Sequence, residues 1–90
     1  MMGWYYYLDD TMLFPFTAVC ITKRRSSPIK VDEIVEVVGM ASADECEAEM
    51  FVEIAGEEGD TRVIPLSQLS APDADVKTQE AIADWHYWAG

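Results

Sequence analysis

Positive charge is scarce in this 90-residue chain: six Lys and Arg stand against seventeen Asp and Glu, for a net charge of −11 at pH 7. Binding to DNA or RNA rests on neutralising phosphates with lysine and arginine, so nucleic acid is excluded as a partner. The one basic run, Lys23-Arg24-Arg25, is outweighed at long range by the field of the whole molecule, which also disfavours anionic membrane surfaces. Histidine occurs once, at His86, and cysteine twice, at Cys20 and Cys46, without a C-x-x-C spacing. A structural zinc site therefore lacks its usual ligands. No apolar stretch reaches the length of a membrane span. Trp4 to Leu8 has no basic region ahead of it and is followed at once by Asp9-Asp10, so it does not read as a signal peptide. A cytoplasmic protein with two reduced thiols is expected. G-x-S-x-G, P-loop, H-E-x-x-H and glycine-rich dinucleotide motifs are all missing, and no enzyme is expected.

What is present is a globular composition. Half of the residues are hydrophobic, with three Trp, four Tyr and three Phe, enough for a core and unlike an acidic disordered tail. A single domain over residues 1–90 is expected, because two would each be too small to hold a core. A monomer is expected as well.

Trp4, Tyr7 and Leu8 at i, i+3, i+4 predict a short N-terminal helical turn, ended by Asp9-Asp10. Phe14-Pro15-Phe16 forces an extended path. Thr17–Thr22, Glu33–Met40, Met50–Ala55 and Thr61–Leu66 read as strands. Gly39 marks a bulge or a close backbone approach, and Met50, Val52 and Ile54 share one face of the third strand. Gly56 to Asp60 is a hairpin loop, and Pro65 to Leu69 predicts one 3₁₀ turn. Asp73 or Asp75 caps a C-terminal helix whose Ala81, Trp85 and Trp88 form a stripe against the barrel. The fold class is α+β, mainly β: a small, partly open SH3-like barrel of four to five strands with a C-terminal helix.

The feature that demands an explanation is SADECEAEMFVEI, Ser42 to Ile54. Eight carboxylates lie between Asp44 and Asp60 without a lysine or arginine among them. In an extended segment Glu45, Glu47 and Glu49 project to one face roughly 6.5–7 Å apart, with Asp44 adding a further oxygen. Calcium, which takes six to eight oxygens at about 2.3–2.6 Å in tolerant geometry, suits such a set better than magnesium does. The plainer reading is a solvated acidic loop. No EF-hand pattern is present. Asp9-Asp10 is either a helix-ending loop or a source of ligands to the central cluster. Glu80 and Asp84 at i, i+4 have Lys77 nearby as a neutralising cation. Cys20 reads as a small buried apolar group, and Cys46, among carboxylates, as a thiol of raised pKa and poor reactivity. His86 reads as a packed or exposed histidine and not as a ligand.

WYYYLDD (Trp4–Asp10), FPFTAVC (Phe14–Cys20), VEVVGM (Val35–Met40), DECEAEMFV (Asp44–Val52), VIPLSQL (Val63–Leu69) and DWHYW (Asp84–Trp88) resemble the CcbP-type calcium-binding proteins of cyanobacteria and other bacteria. The likeness runs through almost the whole chain in order. It implies a small acidic cytoplasmic protein that binds calcium without EF-hands and helps to set free calcium. The family carries residues ahead of the Gly3-Trp4 pair, so any ligand or cap from that region would be missing here. The acids inside matching motifs, and hence the implied ligands, are Asp9, Asp10, Asp44, Glu45, Glu47 and Glu49. No Met-rich stripe is available to form a sensor's groove, so buffering is preferred. The rival reading is an SH3-like interaction module whose acidic face docks a basic partner protein.

Overall fold

A computed structural model describes residues 2–89 of the chain. The elements run α1 (Met2–Thr11), β1 (Phe16–Cys20), β2 (Ile34–Met40), β3 (Phe51–Ala55), β4 (Thr61–Pro65), β5 (Leu69–Ser70) and α2 (Val76–Ala89), with 3₁₀ turns at Glu57–Gly59 and Leu66–Gln68. All five strands join one antiparallel sheet in the order β4-β3-β2-β1-β5. The first four strands form a meander. The 3₁₀ turn after β4 then carries β5 back to pair with β1, the connectivity of an open SH3-like barrel.

Alternation along the strands decides which face is buried. Phe16, Ala18 and Cys20 of β1, Val35 and Val37 of β2, and Val52 and Ile54 of β3 point into the core, while Thr17, Ile34 and Glu36 face out. In β2 the pairing with β3 slips between Val37 and Gly39, so the expected irregularity at Gly39 is a bulge. A Cβ added there would have nothing within 4 Å, which removes the close-approach reading. Leu66 and Leu69 of the P-L-x-x-L turn are fully buried and cap the end of the sheet.

The first helix is longer than the sequence pattern predicts. It runs ten residues and keeps Asp9 and Asp10 inside it. Leu8 and Met12, four residues apart, both enter the core, and Met12 N–H donates to Leu8 C=O at 2.9 Å. The buried side thus carries the turn onward, while the two aspartates occupy its exposed side.

At the other end Asp75 is the cap of α2. Its carboxylate accepts from the N–H groups of Lys77 (3.1 Å) and Thr78 (3.3 Å) and from the Thr78 hydroxyl. Thr78 Oγ1 in turn accepts from Leu13 N–H at 2.9 Å, tying the end of α1 to the start of α2. The tryptophan stripe packs on α1 as well as on the barrel. Trp4 lies 5.3 Å from Trp85 and 5.7 Å from Trp88, and Trp85 stacks on Trp88 at 5.4 Å (ring centroids). Trp85 is buried, but Trp88 remains about half exposed.

Candidate metal-binding loop

The acidic stretch is not extended. Residues 43–49 form successive turns and bends, with Glu45 N–H donating to Ser42 C=O (3.0 Å) and Cys46 N–H to Ala43 C=O (3.1 Å). The expectation that Glu45, Glu47 and Glu49 line one face of a strand is therefore corrected.

Cys46 explains the change. It is fully buried, and so is Met50, so the chain must fold over to place the thiol in the core. Phe51 N–H donates to Cys46 Sγ at 3.3 Å, and the thiol reaches the Phe51 carbonyl at 3.5 Å. Ala41 N–H closes the base of the loop on Phe51 C=O at 3.1 Å. A loop pinned at its base and through its middle must turn its carboxylates outward. Asp44, Glu45 and Glu47 are all exposed. The raised pKa of Cys46 comes first from burial, which the Phe51 backbone bond opposes, with Glu45 a lesser contributor. Carboxylate repulsion, the cause read from sequence, ranks below desolvation.

The six acids implied as ligands fall into three environments. Asp44 and Glu47 open with Met2 and Ala43 on one surface cavity of about 260 Å³, so the loop faces the beginning of α1. Glu45 is exposed on the turn between them. Glu49 is half-buried and already partnered: its Oε2 accepts from Arg24 Nη1 and from Ser67 Oγ at 3.2 Å. Arg24 Nη1 also lies 3.3 Å from Ser67 Oγ. The hydrogen bond to Glu49 raises the pKa of the guanidinium against the opposing effect of its own burial.

Asp9 sits on α1 one turn after Tyr5. The Tyr5 hydroxyl donates to Ala41 C=O at 3.0 Å, and its pKa is raised first by burial and then by Asp9, with smaller contributions from Cys46, Tyr6 and Glu53. Asp9 thus borders the base of the acidic loop by way of Tyr5. Asp10 is exposed on the same helix.

Among the described residues no three Asp, Glu, His or Cys side chains stand close enough to hold a metal ion together. The donor chemistry suits a hard cation, but the geometry of this conformation does not, because calcium needs more oxygens than Asp44 and Glu47 provide.

Two residues that control the acids were not read from the sequence. Arg24 and Ser67 lie 25 and 18 positions from Glu49, and only the fold brings them to it. Lys77, expected to neutralise Glu80 and Asp84, forms no ion pair among the described residues. Asp84 instead accepts from the Tyr7 hydroxyl at 2.8 Å. His86 Nε2 lies 2.6 Å from Leu69 C=O, which makes it the packed and not the exposed histidine of the two readings. Cys20 and Cys46 are both free and buried.

The family model named for CcbP and described as "Calcium binding" matches residues 1–89. The crystal structure of Anabaena CcbP is 50% identical, with a TM-score of 0.82, over 98% of this chain and 72% of that one. A calcium-binding protein in its calcium-binding form is 49% identical, with a TM-score of 0.83 and the same shares. A search of curated proteins finds no match. At this identity and coverage the chain belongs to the CcbP family of calcium-binding proteins.

Proposed function

We propose that this chain binds calcium at the loop of residues 42–50 and serves as a cytoplasmic calcium buffer without an EF-hand. The observation that carries the reading is the pairing of Asp44 and Glu47 on one open cavity, in a segment whose only charged side chains are carboxylates. Glu45 stands beside them, and loop carbonyls and water supply further oxygens. Binding here entails a rearrangement of the loop. That is physically reasonable, since residues 43–49 pair with no strand and are held chiefly at Cys46 and at the Ala41–Phe51 closure. Buffering is favoured over signalling because no element carries a Met-rich stripe that could open into a groove: Met12, Met40 and Met50 stand singly along the chain.

Isothermal titration tests the reading. Calcium should give a saturable heat at about 0.15 M ionic strength, where unlocalised attraction is largely screened. Magnesium should give much less. Equal heats for the two ions, fading together as salt is added, would show a diffuse acidic surface in place of a site.

A further inference from the structure

The ion pair between Arg24 and Glu49 is the one such pair among the described residues, and it joins a basic loop to the last acid of the calcium-binding segment. It is not a freely solvated surface pair. The Glu49 side chain is 25% exposed and that of Arg24 37%. Ser67 Oγ donates to the same carboxylate oxygen, so guanidinium, hydroxyl and carboxylate form one closed set. The Arg24 backbone is held independently of its side chain. Its carbonyl accepts from Ser27 N–H at 3.1 Å, and Ile29 anchors the loop in the core.

The remaining acids are too few to hold calcium by themselves. Asp44 and Glu47 share a cavity, and no third acid joins them in this conformation. Glu49 lies two residues beyond Glu47. Its Oε1 takes no hydrogen bond among the described residues, and its Oε2 is occupied by a cation the protein itself supplies.

We propose that Arg24 is a built-in competitor of calcium: it holds Glu49 in the metal-free fold, and calcium gains Glu49 as a ligand by displacing the guanidinium. This rests on the calcium reading above. A divalent ion at Glu49 repels a guanidinium on the same carboxylate, so each cation weakens the hold of the other. By linkage, whatever Arg24 takes from the affinity of calcium, calcium takes from the Arg24–Glu49 pair. Arg24 then sets the free-calcium level at which the loop fills.

The test compares Arg24→Gln with Arg25→Gln by calcium titration at about 0.15 M ionic strength. Each removes one positive charge, from neighbouring residues, but Arg25 is exposed and makes no ion pair among the described residues. Arg24→Gln should tighten calcium binding by about two- to tenfold, the range expected when one net hydrogen-bonded contact no longer competes. Arg25→Gln should tighten it by much less. In the wild type, the Arg24 side-chain N–H resonances should move or broaden as calcium is added, and those of Arg25 should not. Equal affinities for the two variants, or weaker binding by Arg24→Gln, overturn the proposal and leave calcium binding standing. No calcium heat from the wild type overturns both. If Arg24→Gln does not fold, Arg24→Lys, compared with Arg25→Lys, keeps the charge but loses the planar fork, and tighter binding is again expected only at position 24.

Discussion

The hydroxyl of Tyr5 donates to the carbonyl oxygen of Ala41 at 3.0 Å, joining the first helix to the residue where the acidic loop begins. Ala41 is also the residue whose N–H closes that loop on Phe51. One side chain of α1 therefore helps to fix the base from which Asp44 and Glu47 project. Tyr5→Phe removes the bond and little else, and should cost about 1 kcal/mol. For a domain of this size that is a fall in melting temperature of about 4–8 °C. Amide exchange across residues 42–50 should quicken in the same variant. Faster exchange confined to α1 would show that the bond holds the helix and not the loop.

Cys46 gives a prediction about pH. Burial raises the pKa of its thiol above the usual thiol range, which means that the fold favours the neutral form. A folded-state pKa above the unfolded one contributes stability that is complete below the unfolded pKa and is lost as pH rises through the folded value. Tyr5 and Tyr7, both with raised pKa values, act in the same direction at still higher pH, Tyr5 mainly through burial and Tyr7 mainly through its bond to Asp84. The wild type should therefore lose stability as pH rises past the usual thiol range, and Cys46→Ala should lose less there while being less stable at neutral pH. A thiol reagent at pH 7 should leave both cysteines unmodified in the native protein and label both after unfolding. Rapid native labelling of Cys46 would contradict its burial.

The β3–β4 hairpin makes a purely conformational prediction. Gly59 has φ +83°, and a Cβ there would meet nothing within 4 Å. Gly59→Ala should thus destabilise only through backbone strain, by about 1 kcal/mol. At Gly56 a Cβ would come 3.0 Å from the Asp60 carbonyl oxygen, so Gly56→Ala must move backbone and should cost more. The order of the two melting temperatures checks this. Because the hairpin lies outside the proposed site, calcium affinity should be unchanged in Gly59→Ala.

The strands were legible because each rests on near neighbours in sequence. So were the choices between a bulge and a close approach at Gly39 and between Asp73 and Asp75 as the cap, which the structure decides for the bulge and for Asp75. Alternation reveals a buried face, and one carboxylate placed before a helix reveals a cap. The loop was misread for an instructive reason. Glu45, Glu47 and Glu49 alternate with Cys46 and Ala48, which imitates a half-buried strand, but only Cys46 is buried and Ala48 is exposed. One buried anchor makes a turn; a strand needs several in succession. The ten-residue α1 was underestimated because Asp9-Asp10 reads as a stop, whereas Met12 on the opposite side continues the apolar stripe begun at Leu8. Arg24 beside Glu49 depends on a contact across 25 residues, for which no sequence period exists.

Substitutions in the loop separate a site from a cloud of charge. Asp44→Asn and Glu47→Gln should weaken calcium binding much more than Glu57→Gln, since the first two share one cavity and Glu57 stands at the β3–β4 hairpin, across from Arg62. Each change removes one charge, so unlocalised attraction predicts nearly equal losses. Titrations of the three variants under the same conditions decide between the two.

Thermal unfolding provides the sharpest discrimination between ions. A ligand that binds only the folded state adds RT ln(1 + [L]/Kd), about 2.7 kcal/mol at a hundredfold excess over Kd. At about 4–8 °C per kcal/mol, that is an upward shift in melting temperature on the order of 10–20 °C. The charge of −11 makes part of any shift non-specific, because every cation relieves repulsion among seventeen acids. Ionic strength must therefore be held near about 0.15 M, where exposed charges more than a Debye length apart hardly interact. What remains depends on coordination. Calcium accepts irregular oxygens from a loop that has to rearrange around it, whereas magnesium demands a compact octahedron and gives up its water reluctantly. Loss of the Arg24–Glu49 pair on binding subtracts a little from the shift in the wild type, so Arg24→Gln should show the larger gain with calcium and no added gain with magnesium. Superimposed melting curves for the two ions would mean that the carboxylates of residues 44–49 act only as an acidic surface.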